Sequence, residues 1–348
     1  MKKIFCVGYG AGHIKILDEV CQKLQKKNDI AFKLFPLTVA YPLIKDKYAE
    51  KNLALWAHYL HLLDKNIDEI FHYGINLLKE NYSPHLGMSK LESILYLGCC
   101  YFELVQKCGL EQAKLKYEKE KRHSFLPLNI MKVILEHEQP DIVVATSSPR
   151  TEYAALLAAK ELGIQTLQIL DLFADVYPFP VADHVVTCDQ KNADRLKETA
   201  NYNPKIHPLG QPIFDLTVSN IQSLSQQKIK AKMNLSQKKT LVFLTQKPVI
   251  YGEDYRILKE IPYNNVLPEI TKTLSELSKD LNILFRIHPN ESKSAYQPYI
   301  DQIPNAKFIN EELNLEESIA ISDIILTFHS TAGDRKSTRL NSSHQIIS

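Results

Sequence analysis

The chain has 348 residues, of which 45% are hydrophobic, and it carries 42 basic and 40 acidic side chains. This length is enough for two domains, each with its own core. The balanced charge gives no electrostatic sign of a nucleic-acid partner, and no early segment has the apolar run of a signal peptide or a membrane helix. We therefore expect a cytoplasmic protein of two domains.

Short apolar strands alternate with helices in the first part of the chain, which is typical of a doubly wound α/β sheet. The predicted strands are 3–7, 31–37, 142–145, 166–170 and 184–188, with helices after the first strand and at 152–162 and 191–199. We predict a Rossmann-like domain over residues 1–215, interrupted by a helical insertion at about 53–123.

The same alternation returns after residues 216–239, which are rich in Gln, Ser and Lys and are predicted to be a linker. The predicted elements beyond it are strands 240–245, 283–287, 307–309 and 324–328 and helices 266–281 and 315–321. We predict a C-terminal domain over residues 240–333, so that two Rossmann-like domains in tandem face a common cleft.

Residues 334–348, DRKSTRLNSSHQIIS, differ in character from the strand and turn before them. Written as codons, the first eleven resemble a common sequencing adapter read in frame. This segment carries three basic residues and one acidic residue, so the rest of the chain is electrically balanced. We expect a non-native tail after Gly333 and an incomplete C-terminal domain. A native solvated tail is the alternative.

The segment GYGAGH follows the first strand, at the edge of the sheet where ligands of open α/β folds bind. Gly8, Gly10 and Gly12 are predicted to form a sharp turn that lets the backbone approach a ligand, with His13 at the start of the helix. The spacing differs from GxGxxG, which disfavours a nicotinamide site. His13 either acts in binding or proton transfer or caps the helix.

Two further candidates follow later strands of the first domain. Arg150, in SSPRTE, could clamp an acidic acceptor or a phosphate, or be solvated. Asp171 follows the strand that ends at Leu170, and Asp175 is nearby. The carboxylate of Asp171 could be the base that deprotonates an acceptor hydroxyl, or it could cap a helix.

In the second domain, FRIHPNES places Arg286 and His288 at the end of a strand, and Pro289 fixes the turn beyond it. We predict that His288 donates to a phosphate oxygen. A surface Arg286 and a satisfied loop histidine are the alternatives.

The segment TFHSTAG follows the last predicted strand. We predict that it opens a helix whose free N–H groups attract an anion, with an ordinary helix cap as the alternative. Its candidate anion-binding residues are His329, Ser330, Thr331 and Gly333.

No motif has the spacing of a metal site. The six cysteines form no CxxC pair, and His58 and His61 have no third ligand spaced to join them. The apolar stripe from Leu53 to Leu78 fits a buried core, with an acceptor-lipid surface as the alternative. We expect reduced thiols, no metal and no cofactor.

The two-domain pattern, the glycine turn with its histidine, the HP turn and the final Ser/Thr-small-Gly turn together resemble the GT-B glycosyltransferases and their relatives. These relatives include bacterial sialyl- and polysialyltransferases, CDP-glycerol polymerases and non-hydrolysing UDP-N-acetylglucosamine 2-epimerases. The resemblance implies that His288, Ser330 and Thr331 hold the phosphates of a donor nucleotide. GYGAGH resembles the turn of the murein-precursor glycosyltransferase, whose glycines and histidine line the reaction cleft.

The resemblance implies transfer of a sugar from a nucleotide donor to an acceptor hydroxyl, in bacterial surface polysaccharide synthesis. The acceptor would be a carbohydrate or lipid-linked, with peripheral association at the inner face of a membrane. His13 or Asp171 would be the base, and Arg286, His288 and the Ser330–Thr331 turn would offset the charge of the leaving diphosphate. The alternatives are a 2-epimerase, a CDP-glycerol-type transferase and an inactive sugar-nucleotide-binding protein. The epimerase match is poorer, because the chain lacks a GTRPE-like start and has LDLFAD where an EAG-L-R segment would stand.

Overall fold

The structure is a computed structural model. It describes residues 1–84, 87–171, 180–199, 202–251, 257–288 and 291–328. The chain divides into two compact units, the first from Met1 to Ile213 and the second beginning at Phe214.

The first unit is built on a six-stranded, fully parallel sheet with the order β2-β1-β3-β4-β5-β6. Its strands are β1 (Lys2–Tyr9), β2 (Ile30–Leu37), β3 (Ile142–Ala145), β4 (Gln165–Ile169), β5 (His184–Val186) and β6 (Lys205–His207). The central strands are apolar runs, as expected where helices cover both faces of a parallel sheet. The strand order reverses between β1 and β3, which makes the carboxyl end of this pair the topological switch point.

Helices connect these strands and form most of residues 53–123. They are α1 (Gly10–Leu24), α2 (Tyr41–Ile44), α3 (Ile67–Asn81), α4 (Lys90–Cys108), α5 (Leu110–Glu120), α6 (Leu128–Glu138), α7 (Thr151–Glu161) and α8 (Gln190–Thr199), with short 3-10 turns at Trp56–Leu62 and Lys121–Ser124 among others. Helices α3 and α4 pack closely through glycines, since a Cβ on Gly74 would lie 2.1 Å from the carbonyl oxygen of Ile94. Trp56, Tyr59 and Ile70 are buried in the core of this unit, as the core interpretation of the apolar stripe predicted.

The second unit contains a four-stranded parallel sheet with the order β11-β10-β7-β12 and a separate antiparallel pair, β8 with β9. The strands are β7 (Lys239–Leu244), β8 (Val249–Tyr251), β9 (Ile257–Glu260), β10 (Leu281–Arg286), β11 (Lys307–Phe308) and β12 (Ile324–Thr327). The helices are α9 (Pro212–Gln222), α10 (Gln226–Lys232), α11 (Leu267–Leu277), α12 (Lys293–Ile300) and α13 (Leu315–Ile321). Alternate residues of β7 face two different apolar clusters, so the sheet is covered on both faces.

The segment predicted to be a linker, residues 216–239, contains the end of α9 and all of α10 and packs as part of the second unit. Ile221, Ile229 and Met233 are buried beside Val242 of β7. The Gln, Ser and Lys residues that suggested a linker mostly occupy the exposed faces of these short amphipathic helices. Within the described part of the chain, no helix is long and apolar enough to cross a membrane.

Candidate functional site

The side chains that the sequence singled out in the first unit meet at the switch point between β1 and β3. We call the group formed by His13, Thr146, Glu152 and Asp171 the His13 cluster. His13 lies in the first turns of α1, Thr146 directly follows β3, Glu152 is in the first turn of α7, and Asp171 follows β4. Three neighbouring strand ends thus supply one site.

The predicted glycine turn is shorter in the structure, because β1 runs to Tyr9 and α1 begins at Gly10. A Cβ on Gly8 would lie 2.9 Å from Cδ1 of Leu17, so this glycine allows α1 to pack on the end of β1. Gly10 has a φ of +69°, in the left-handed region that glycine adopts at little cost. A Cβ on Gly12 would meet nothing within 4 Å, which leaves open space beside the helix start.

Glu152 is the buried centre of the cluster, with none of its surface exposed. Its Oε1 accepts a 2.6 Å hydrogen bond from the amide of Tyr9. Its Oε2 accepts from the amide and hydroxyl of Thr146 at 2.9 and 2.6 Å and from the amide of Ser148 at 3.2 Å. Burial raises the pKa of this carboxyl, while His13 and these bonds act to lower it.

The bonds to Glu152 determine which nitrogen of His13 carries a proton. The Thr146 hydroxyl donates its only hydrogen to Glu152, so it accepts the bond from Nδ1–H of His13. In the neutral form of the ring, the lone pair is therefore on Nε2. It lies 3.7 Å from Oδ2 of Asp171, and the His13 side chain is 23% exposed. His13 is thus bonded to Thr146, which is itself bonded to the buried carboxyl of Glu152.

Asp171 faces the open side of the cluster. Its Oδ1 is buried and has no hydrogen-bond partner among the described residues, while its main-chain carbonyl accepts a 3.0 Å bond from Gln211. At 3.7 Å, the Asp171 carboxylate and His13 are too far apart to bond directly. Both can contact one hydroxyl group placed between them.

The sequence left open whether Arg150 is simply solvated, but in the structure its side chain packs against Tyr9. Its guanidinium carbon lies 4.1 Å from the centre of the Tyr9 ring, and its Nε is buried without a partner among the described residues. Arg122, which the sequence did not single out, places Nη1 3.4 Å from the Tyr9 hydroxyl. Two guanidiniums therefore contact one ring beside the His13 cluster.

In the second unit, Arg286 is held by its own domain. Its Nη1 donates to the carbonyl of Leu313 and to the hydroxyl of Ser318, which links β10 to α13. Burial lowers the pKa of this guanidinium, whereas Glu316 and Glu317 act to raise it. The predicted contact of Arg286 with a phosphate stays a prediction.

His288 lies beyond the carboxyl end of β10, the neighbour of β7. Its amide donates a 3.1 Å bond to the hydroxyl of Thr245, and its carbonyl accepts from the amide of Glu291 at 2.9 Å. The predicted phosphate contact of His288 is untested. Asp175, His329, Ser330, Thr331 and Gly333 lie outside the described residues.

The residues of the His13 cluster that sequence reasoning missed are Thr146 and Glu152. Threonine directly after a buried strand and glutamate in the first turn of a helix are ordinary in strand and helix termini. The one available signal was the position of both at the same strand end as Arg150.

Other features of the described residues do not compete with this site. No group of three His, Cys, Asp or Glu side chains there is arranged to hold a metal, and no disulfide joins the cysteines of the described residues. A cavity of about 650 Å³ lies at the amino ends of β1 and β2, with Lys3, Phe32 and Lys33 among its lining. It is at the opposite edge of the sheet from the His13 cluster, and the two charged groups of Lys33 and Glu138 in its wall are paired with each other.

Comparison with protein-family models and with curated protein sequences gives no match to this chain. Solved structures match it over almost its whole length. MnaA from S. aureus, in complex with UDP, is 14% identical with a TM-score of 0.55, covering 95% of this chain and 75% of its own. The UDP-GlcNAc 2-epimerase of Neisseria meningitidis, bound to UDP-GlcNAc, is 17% identical with a TM-score of 0.55 and coverage of 95% and 78%.

The UDP-GlcNAc 2-epimerase of Methanocaldococcus jannaschii is 16% identical with a TM-score of 0.52, covering 96% of this chain and 80% of its own. At these identities the similarity shows the fold. The chain therefore has the fold of these proteins, an α/β fold with two Rossmann-like, GT-B-like domains, and the predicted fold class is confirmed.

Proposed function

We propose that the chain is an enzyme that acts on a nucleotide-activated sugar and uses His13 as a base toward a sugar hydroxyl. The observation that carries this proposal is the chain of hydrogen bonds from His13 through Thr146 to Glu152. It leaves Nε2 of His13 as the proton acceptor at the switch point. The substrate class is supported by the fold, since similar structures are named as UDP-GlcNAc 2-epimerases or contain UDP.

In glycosyl transfer, the hydroxyl oxygen of an acceptor attacks the anomeric carbon of the donor sugar. The bond from that carbon to the nucleotide diphosphate breaks, and the hydroxyl proton moves to Nε2 of His13. Asp171 offsets the charge of the imidazolium directly, and Glu152 does so through Thr146. His288 is proposed to help hold the donor phosphates.

A second candidate is 2-epimerisation of UDP-N-acetylglucosamine. It is favoured by the similarity to solved 2-epimerases. The sequence disfavours it, because the chain has no GTRPE-like start and has LDLFAD in place of an EAG-L-R segment. Surface polysaccharide synthesis and a lipid-linked acceptor belong to the transfer hypothesis.

The two reactions are distinguished by incubating the full chain with UDP-GlcNAc, with and without a panel of acceptor sugars, and following the products by phosphorus and proton NMR. UDP released only with an acceptor supports transfer, and UDP-N-acetylmannosamine formed without one supports epimerisation. A parallel reaction with CDP-glycerol tests polyol phosphate transfer. Binding of a sugar nucleotide without turnover would support a binding protein without catalytic activity. If neither UDP-GlcNAc nor CDP-glycerol binds, the proposal is overturned.

A further inference from the structure

Two arginines from distant parts of the first unit meet at Tyr9, the last residue of β1. Arg150 precedes α7 and stacks on the face of the ring, with Cζ 4.1 Å from its centre. Arg122 belongs to the 3-10 turn Lys121–Ser124 of the helical insertion and donates to the ring hydroxyl at 3.4 Å. The insertion and the sheet thus each supply one cation to the same place.

Several basic side chains of the unit form ion pairs with carboxylates. Lys33 is paired with Glu138, and Lys47 is paired with Asp18. Among the described residues, no carboxylate is paired with Arg122 or Arg150. Both guanidiniums are only partly exposed, so their mutual repulsion is not fully screened by solvent. An anion bound between them would relieve it.

Two buried donors at this place have no acceptor among the described residues. Tyr96 is 2% exposed and lies against Tyr9, with 6.1 Å between the ring centres. Its buried hydroxyl has no hydrogen-bond partner among the described residues, and neither has the buried Nε of Arg150. Burial raises the pKa of the Tyr96 phenol, while the two arginines act to lower it. The phenol therefore stays a neutral donor at ordinary pH.

We propose that Tyr9, Tyr96, Arg122 and Arg150, called here the Tyr9 site, bind an oxyanion of the sugar acceptor, either a carboxylate or a phosphate. Planar guanidiniums match both groups through paired N–H bonds, and the two polar atoms of this group that have no partner among the described residues, the Tyr96 hydroxyl and Nε of Arg150, can both donate. The Tyr9 amide is bonded to Glu152, so the Tyr9 site adjoins the His13 cluster. The claim that the bound oxyanion belongs to the acceptor rests on the proposed function. The claim that the Tyr9 site binds an anion does not depend on it.

Binding can be measured without turnover, by calorimetric titration of the full chain with glucuronate, glucose 1-phosphate, UDP and uncharged glucose. We expect glucuronate or glucose 1-phosphate to bind and glucose to bind much more weakly. Arg150→Gln and Arg122→Gln should each lower the affinity for the sugar anion about tenfold. The charge-matched control is Arg195→Gln, an exposed position on α8, which should bind as the wild type does. Whichever sugar anion binds identifies the source of the oxyanion.

Tyr96→Phe provides a variant that does not threaten the fold. It removes one unpaired hydroxyl, so we expect weaker anion binding with an unchanged or higher melting temperature. If neither sugar anion binds, or if the arginine variants bind it normally, the proposal is overturned. If UDP alone binds and Arg150→Gln weakens it, the site belongs to the donor and the acceptor assignment is wrong. Failure of UDP-sugar turnover with intact anion binding would instead contradict the proposed function only.

Discussion

The carboxyl edges of the two sheets both hold a carboxylate surrounded by hydrogen-bond donors, but the donors differ. In the first unit, fully buried Glu152 is bonded by three backbone amides and by the hydroxyl of Thr146. In the second unit, half-buried Glu291 is bonded by three hydroxyls, those of Thr245, Tyr263 and Tyr296, at 2.6, 2.6 and 2.8 Å.

This difference shows how one type of residue serves two purposes. Amides fixed by strand and helix ends hold Glu152 in one orientation, and it holds Thr146 and His13 in turn. Hydroxyls rotate, and the three around Glu291 come from the residue after β7, from the turn before α11 and from α12, so that this group joins three elements of the fold. The first edge orients the imidazole of His13, while the described part of the second edge satisfies its carboxylate with bonds that join elements of the fold.

The largest expected effect tests whether the first edge is the reactive one. His13→Gln keeps a donor for Thr146 but cannot take up a proton, so turnover of the sugar nucleotide should fall by about 10²- to 10⁴-fold. The melting temperature should stay close to that of the wild type. The control is His72→Gln, an exposed position on α3. Activity within a factor of ten of the wild type would remove His13 from the chemistry.

Glu152→Gln and Glu291→Gln compare the two carboxylates directly. An amide at position 152 would turn one acceptor into a donor that faces fixed N–H groups, and we expect a loss of about 2–3 kcal/mol in the free energy of unfolding. At position 291 the rotating hydroxyls can adapt, so about 1 kcal/mol should be lost. Urea unfolding of both variants measures the difference, and equal losses would contradict it.

The pH dependence of stability should also separate Glu152 from its glutamine variant. Burial raises the pKa of Glu152 above its ordinary value of 4.5, so the folded state binds more protons than the unfolded state. Its contribution to stability is therefore fully present below pH 4.5 and is lost as the pH rises through the pKa of the folded state. Unfolding free energies of the wild type and Glu152→Gln between pH 4 and 8 should converge as the pH rises. An advantage of the wild type that grows with pH would show that the hydrogen bonds outweigh burial.

The smallest expected effect concerns two buried tyrosines. The Tyr96 hydroxyl in the first unit has no described partner, whereas the Tyr296 hydroxyl in the second donates to Glu291. Tyr96→Phe should raise the free energy of unfolding by up to about 1 kcal/mol, and Tyr296→Phe should lower it by about 1 kcal/mol. Thermal unfolding gives the sign of each change. Changes of the same sign would contradict the difference in hydrogen bonding between the two hydroxyls.

Much of the fold was predictable from local pattern. Strand β3 and helix α13 have the predicted bounds, and most other predicted elements differ by one or a few residues. Strand β6 was missed because it has only three residues at the edge of the sheet. Helices α9 and α10 were missed because their few buried residues are surrounded by Gln, Ser and Lys, which resemble a linker.

The candidate site was predictable only in part. His13 and Asp171 were identified from their places after strands, and the structure brings them to within 3.7 Å of each other. Thr146 and Glu152, which hold His13, were not identified, because each has an ordinary structural explanation in its own segment. Arg122 was missed for a related reason, since it lies in the helical insertion, far along the chain from Tyr9.

The amino-acid sequence by itself determined the alternating strands and helices, the two-unit organisation and the strand ends that carry reactive side chains, because these depend on patterns among close neighbours. Tertiary structure decided which strand ends meet. The bond from His13 to Thr146 spans 133 positions. It exists because β3 pairs with β1, and not with β2 as it would if the strands followed one another in chain order. That pairing brings the buried carboxylate of Glu152 to Thr146 and Thr146 to His13.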